Sequence, residues 1–299
     1  MTRITQAMTA RLLLTDLQSD AARLSRSQQK IANGKEITVP SDDPFGTSRA
    51  LQLRSELDEY RQYQVNVREA DAWQSVADTA LREVGDLTLR ARDLLVQGAS
   101  DTAGQDARNA LANEIDQIVN AVKSEANAQY AGRFVLAGAQ TTTQPYNQTD
   151  DTYAGDSNQM RREIGRGVQV NVSIDGGAVI GTWNGTTGTG LIGALRQIAV
   201  DLRAGNTAAL GGADLTTLDA AHDALVNTRS VVGALGNRLE TAAGRLGELE
   251  ETTTKLLSET EDADMAKTLV DYSMQQAVYQ AALKAGAELI QPSLLDFLR

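Results

Sequence analysis

The chain has 299 residues, with 28 Lys and Arg against 39 Asp and Glu, and a formal charge of -11 at pH 7. Duplex nucleic acid and anionic lipid both demand a cationic face, so neither nucleic-acid binding nor membrane insertion is expected. One His and no Cys exclude disulfides, Cys-ligated zinc and iron-sulfur clusters, and leave few parts for thiol or imidazole catalysis. No cofactor is expected, and no enzyme activity.

The amino-terminal stretch carries Arg3 and Arg11, and its longest apolar run is Leu12-Leu13-Leu14. Neither a cleaved signal h-region nor a membrane span is read there. The expected location is the cytosol, or outside the cell by a route that reads no cleaved signal.

From Arg3 to Asn33 there is no Gly or Pro, and Leu17, Leu24 and Ile31 recur every seven residues with Leu13 and Leu14 beside them. This predicts a helix with a stripe about one residue wide. Gly34 stops it, and an extended connector leads to Asp42-Asp43-Pro44, where a capping side chain precedes a proline at the first helical position. A second helix is predicted from about Phe45 to Gln97, roughly 80 Å long at 1.5 Å per residue. Thr102 and Gln105 have capping-box spacing, and Leu111, Ile115, Ile118 and Val122 line one face of a third helix.

The period changes between Gly132 and about Gly190. Phe134-Val135-Leu136 is a short apolar run, and Val168, Val170, Val172 and Ile174 alternate with polar residues before Asp175-Gly176, a hairpin-turn signal. A small antiparallel sheet with loops is predicted. Helix returns at Leu191–Leu202 and from Asp214 onward, where Leu235, Leu239, Ala242, Leu246, Leu249, Thr253 and Leu256 keep four-three spacing. Ser258 and Glu261 form a capping-box pair that predicts a break near 258, and a last helix carries Val270, Ala277, Leu283 and Ile290 to Pro292.

The two ends differ in charge. Residues 1–40 carry six basic and three acidic side chains, and residues 240–299 five basic and eleven acidic. Long helices often have solvated charged faces; here the opposite signs also suit pairing of the ends. Three seam residues of the first helix contribute about 2 kcal/mol each, well short of the backbone entropy of some thirty residues at about 1 kcal/mol each. Gly233, Gly236, Gly244 and Gly247 cost roughly 1 kcal/mol apiece in a helix interior. The ends are therefore expected to be poorly ordered alone and to fold when the protein joins an assembly of copies or close relatives.

Several patterns look chemical. Gly188-Thr189-Gly190-Leu191-Ile192-Gly193 matches a dinucleotide fingerprint, but the chain then runs through Asp201-Leu202-Arg203 into more helix, without the parallel strand and acidic end such a site needs. Glu259, Glu261, Asp262 and Asp264 fit acidic stabilisation of a helix start better than a metal site. Asp150, Asp151 and Asp156 lack the ordered spacing of a calcium loop. His222 has no nucleophile beside it, and Trp73 and Trp183 lack the basic company of a nucleic-acid stacking platform.

The segment Val39-Pro40-Ser41-Asp42-Asp43-Pro44, the helix after it, Glu261-Asp262-Ala263-Asp264 and the Leu-rich carboxyl end resemble the bacterial flagellin family over essentially the whole chain. Tyr130-Ala131-Gly132-Arg133-Phe134-Val135-Leu136-Ala137-Gly138, Pro145-Tyr146 and the ending Gln291-Pro292-Ser293-Leu294-Leu295-Asp296-Phe297-Leu298 are more similar to the family's hook-filament junction members than to its filament flagellins. The resemblance implies a mainly α fold: a long antiparallel bundle or coiled coil of both chain ends with a small inserted β domain. Residues 1–42 with 258–299 would be the terminal assembly domain, 43–131 with 191–257 a helical rod, and 132–190 the outer β domain.

The resemblance also implies an extracellular structural protein of the flagellum, exported unfolded through the flagellar type III apparatus with an export chaperone. It would form a ring of copies between the first hook-filament junction protein and flagellin, the alternative being a short filament flagellin. On this reading Leu13, Leu17, Leu24, Ile31, Leu283, Ile290, Leu294, Leu295 and Leu298 bury only on polymerisation. Leu111, Ile115, Ile118, Leu239, Leu246 and Leu249 hold the rod together beforehand.

Overall fold

The computed structural model describes residues 6–290 and is mainly α-helical. In chain order it forms α1 (Gln6–Asn33), α2 (Pro44–Ala99) and α3 (Gln105–Ala126). The strands β1 (Gln129–Tyr130), β2 (Arg133–Phe134), β3 (Arg161–Gly165) and β4 (Val168–Asn171) come next, then the one-turn helix α4 (Gly176–Val179) and strands β5 (Thr182–Trp183) and β6 (Gly188–Thr189). The order ends with α5 (Gly190–Ala204), the turn α6 (Thr207–Ala209), a π-turn (Leu210–Asp214), α7 (Leu215–Glu261) and α8 (Met265–Ile290). The strands pair only as three antiparallel hairpins, β1 with β2, β3 with β4 and β5 with β6. Among the described residues no helix is long and apolar enough to cross a membrane.

Two compact units divide the chain, one made of the residues up to Glu59 and from Leu249 onward, the other Tyr60–Glu248. The boundaries fall inside α2 and α7, whereas the sequence reading drew them near 43 and 257 and set 132–190 apart.

In the second unit the hairpin segment shares one hydrophobic core with the helices. Trp73, Leu81 and Leu95 of α2, Ile115 and Val122 of α3, and Leu195 and Ile198 of α5 bury together with Leu136, Tyr146, Val170 and Ile180. On α7, Leu218, Leu225, Val232, Leu239 and Leu246 recur every seven residues, and all five are buried. That strict period points one side of the helix into the core from Leu218 to Leu246. Leu111 and Ile118 lie in the same core, while Leu249 is half-buried and belongs to the first unit.

Ion pairs fasten the loop after β2 to this core. Lys123 of α3 is 1 % exposed, and its Nζ lies 3.0 Å from Asp151 Oδ1. It also donates to the Gln148 and Asp150 carbonyls at 3.1 and 3.2 Å. Arg196 of α5 holds the same carboxylate in a fork, Nε to Oδ2 at 2.7 Å and Nη2 to Oδ1 at 3.1 Å, and reaches Asp116 as well. Burial alone would raise the Asp151 carboxyl; the two cations override it and hold the group below the usual carboxylate range. Tyr146, fully buried, donates its hydroxyl to the Gly181 carbonyl at 2.8 Å.

Three local expectations are corrected. The N-cap of α3 is Gly104, without a side-chain cap; Thr102 bonds Ser100 instead, and Gln105 Nε2 donates to the Leu202 and Arg203 carbonyls at the end of α5. Asp175-Gly176 is not the hairpin turn, because the β3–β4 turn falls at Arg166-Gly167 and Asp175 Oδ1 caps α4 through Ala178 N. The break near 258 lies at 262–264: α7 runs to Glu261, and Asp264 Oδ1 caps α8 by accepting Lys267 N at 3.1 Å.

Candidate assembly surface

Within the first unit, α1 and α8 run antiparallel, with Leu13 against Gly286 at one end and Ser27 against Gln275 at the other. Leu13, Leu17, Leu24 and Ile31 are half-buried in this contact. Opposite them α8 offers Thr268, Tyr272, Gln275, Tyr279, Ala282 and Gly286, a line of polar and small residues at helical spacing. The Ser27 hydroxyl donates to Gln275 Oε1 at 2.8 Å, and Gln28 Nε2 to the Tyr272 hydroxyl at 3.1 Å. A Cβ at Gly286 would stand 2.8 Å from Leu13 Cδ2, so the missing side chain is what lets α1 approach there.

The terminal helices thus form and pair within one chain, which corrects the expectation that the α1 seam stays bare until polymerisation. The seam closes because α8 supplies a narrow groove for single leucines. It closes only partly, because that groove is lined by polar groups and carries little apolar area.

The outward faces carry large apolar side chains among polar ones. Met8, Leu12 and Leu14 of α1 and Leu269, Val270, Met274, Val278 and Leu283 of α8 are all 44–60 % exposed. Of these, the sequence reading assigned only Leu283 to assembly. The signal for the others was present: Leu12-Leu13-Leu14 and Leu269-Val270 are consecutive apolar residues, which cannot share one face of a helix. Isolated exposed leucines need no explanation, but eight large apolar side chains on one helix pair leave apolar area in water that burial against a partner would remove. Ile290 closes α8, and Leu294, Leu295 and Leu298 lie outside the described residues.

A clasp of charge and backbone closes the inner ends of both helices. Gly34, at φ +68°, turns the chain out of α1. Glu36 N donates to the Glu261 carbonyl at 2.7 Å, and Ala263 N to the Gly34 carbonyl at 2.9 Å. The Glu261 carboxylate, 5 % exposed, pairs with both Lys35 and Arg54. The acidic run at 259–264 therefore serves this clasp and the α8 cap, and among the described residues no cluster of His, Asp or Glu could hold a metal ion.

The start of α2 is built by local bonds. Asp42 Oδ2 accepts Val39 N, the Thr38 hydroxyl and Thr38 N at 2.9–3.2 Å, and these bonds hold the carboxyl below its ordinary range. Asp43 Oδ1 accepts Phe45 N at 3.0 Å, and Pro44 opens the helix. Beside it Phe45 stands 82 % exposed, an aromatic side chain the sequence reading did not single out.

The other chemical-looking motifs resolve structurally. Gly188, Gly190 and Gly193 belong to an antiparallel hairpin running into α5, where a Cβ on Gly193 would meet the Gly188 backbone at 2.6 Å. They serve close packing of strand on helix, and the sheet lacks the parallel order of a dinucleotide fold. Asp151 is already paired with the Lys123 ammonium, and Asp150 Oδ1 accepts from Thr152 N and the Thr152 hydroxyl.

Comparison with known proteins agrees with this architecture. Residues 4–141 match the model of the bacterial flagellin N-terminal helical region, and residues 215–298 that of its C-terminal helical region. Flagellar hook-associated protein 3 of Escherichia coli is 25 % identical over 287 residues, covering 90 % of each chain. A flagellin of Bacillus subtilis is 26 % identical, covering 99 % of this chain and all of its own. The solved structure of FlgL from Bacillus cereus superposes with a TM-score of 0.59 at 23 % identity, covering 69 % of this chain and 99 % of that one.

Proposed function

Because the chain belongs to the bacterial flagellin family, we propose that it is the hook-filament junction component of a flagellum, polymerising through its terminal helices into a ring. It is a structural protein of the flagellum and not an enzyme. The ring would seat on the first junction protein at the hook and present its far side to flagellin. Delivery would be by the flagellar type III apparatus with an export chaperone. Residues 1–42 with 258–299 would be the assembly domain on this reading, and Leu294, Leu295 and Leu298 would extend its apolar surface.

The observation that carries the reading is the narrow α1–α8 seam backed by eight exposed apolar side chains. At about 1 kcal/mol for each half-exposed side chain buried, such a surface contributes roughly 8 kcal/mol per subunit on assembly. Similarity to hook-associated protein 3 over 90 % of the chain supports the junction role. Comparable similarity to a filament flagellin supports the second reading, a short filament subunit.

Seeded growth separates the two. Purified chain is added to hooks carrying the first junction protein, then flagellin, and viewed in negative stain. A junction protein adds a short cap and then accepts flagellin. Elongation of the chain alone into long filaments would assign the filament role, and no addition to the hooks together with no elongation of the chain alone would overturn both.

A further inference from the structure

The link between α5 and α7 is fastened at both ends to one buried carboxyl group. Asp201, in the last turn of α5, is 8 % exposed. It accepts Gln197 Nε2 at 2.6 Å and Asn206 Nδ2 at 3.0 Å, and its backbone carbonyl accepts Asn206 N at 3.0 Å. Asn206 caps α6 and accepts Leu210 N on its own carbonyl at 3.1 Å, so the start of the link hangs on Asp201. The link ends at Asp214, 6 % exposed, whose carboxyl group lies within hydrogen-bonding reach of Asp201.

Two carboxyl groups bond each other only when one carries a proton. Asp201 already accepts two amide donors, which leaves Asp214 placed to donate. Asp214 Oδ2 is buried without a partner in the chain, a placement that costs a carboxylate far more than a neutral acid. Burial and the Asp201 carboxyl raise Asp214 to about 6, and no neighbouring cation opposes them. On α5 the next cation, Arg203, turns to Asp116 and Asn113, and on α7 Asp219 is held by Arg92. The β5–β6 hairpin brings Trp183, Thr186 and Thr187 to this place, and α6 only the Asn206 amide.

Between its fixed ends the link is loose. Leu210–Asp214 is a π-turn, and a Cβ on Gly211 or Gly212 would meet nothing within 4 Å. Asp214 also lines a pocket of about 270 Å³ with Gln197 and Thr217, through which an ionised side chain can reach water.

We propose that Asp201 and Asp214 form a proton-held latch, which keeps the link 206–214 closed on α5 while Asp214 is protonated and frees it when that proton is lost. The change is one proton released to solvent: the two carboxylates then repel, and Asp214 turns into the pocket beside Thr217. In the open link Asp214 titrates as an ordinary carboxyl at about 4. Opening is therefore rarest in acid, grows between about pH 4 and 6, and is constant above.

The test is amide hydrogen exchange of the full chain, corrected for the intrinsic rate, with α3 as the reference. Between about pH 4 and 7 the opening of 206–214 rises at least about ten-fold, toward the roughly hundred-fold that a shift of about two pH units allows. It stays insensitive to urea below the unfolding transition, while exchange in α3 follows urea. Asp214→Asn, whose amide donates to Asp201 at every pH, keeps the link closed with a flat profile. Exchange at 206–214 that tracks urea as α3 does, or a parent profile retained in Asp214→Asn, overturns the latch. Carbon NMR gives a second readout: one aspartate carboxyl titrates near pH 6, disappears in Asp214→Asn, and moves down by about one pH unit or more in Asp201→Asn. If every aspartate carboxyl of the unsubstituted chain titrates below about pH 5, there is no shared proton and the proposal falls.

Discussion

Replacing Lys123 by Met tests how the second unit holds its irregular segment. The Nζ is enclosed, 3.0 Å from Asp151 Oδ1 and within 3.2 Å of two backbone carbonyls. Methionine fills much the same volume, so the loss is electrostatic: Asp151, 8 % exposed, keeps Arg196 but loses half its compensation, and two carbonyls lose their donor. Removing one partner of a buried pair costs about 3–5 kcal/mol, a large share of the 5–15 kcal/mol typical of a domain. At about 2–4 °C per kcal/mol the melting temperature falls by roughly 6–20 °C.

The pH dependence has a definite sign. Asp151 sits below the usual carboxylate range in the folded state, so its stabilisation is present above the unfolded value and is lost as pH falls through the folded one. The gap between Lys123→Met and the unsubstituted chain, read from urea midpoints by circular dichroism, narrows below pH 4. The double variant with Asp151→Asn recovers part of the loss. A cost under about 1 kcal/mol at pH 7, or a gap that widens in acid, would refute the reasoning.

Other residues give further tests. Asp214 is raised to about 6 by burial and by Asp201; a raised carboxyl binds its proton in the folded state first, so stability falls between about pH 4 and 6. Asp214→Asn should flatten that slope and stabilise at pH 7 by about 1–3 kcal/mol, whereas urea midpoints that keep the parent slope would count against it. Gly286→Leu drives a side chain into Leu13 and should loosen the α1–α8 pair by about 1–3 kcal/mol, seen as faster hydrogen exchange in α1; unchanged exchange would contradict the packing described. Met274→Gln with Val278→Gln leaves the helix content of the dilute chain unchanged and weakens assembly by about ten-fold or more, given roughly 1 kcal/mol per side chain. Equal assembly would remove those residues from the surface.

The helices were legible because their signals are local and repeated. Gly34, Asp43-Pro44 and the four-three spacing that includes Leu239 and Leu246 each constrain a few residues, and the structure places a helix end, a helix start and two buried leucines there. Capping and turn motifs were less dependable. Thr102, Asp175 and Ser258 each have the right neighbours in sequence, but a tertiary partner or a helix that continues decides which one is used. Gln105 illustrates this, taking up the end of α5.

The hairpin segment was legible as β but not as part of the core. What joins it is the pairing of Lys123 with Asp151 and the burial of Tyr146, contacts between segments that carry no common period. At the candidate surface, the stripe Leu13, Leu17, Leu24 and Ile31 was easy to read because it is periodic. The outward residues Leu12, Leu14, Val270 and Met274 were harder, since an apolar residue off the stripe looks like noise until the stripe's own partner is known.

The most direct test of the central claim, that the outer faces of α1 and α8 bury against other subunits, is oxidation footprinting of Met8 and Met274 in dilute and assembled protein. The account predicts that both oxidise readily in the dilute chain and at least about ten-fold more slowly once assembled, as their exposed thioethers leave water. Equal oxidation rates in the two states would contradict it.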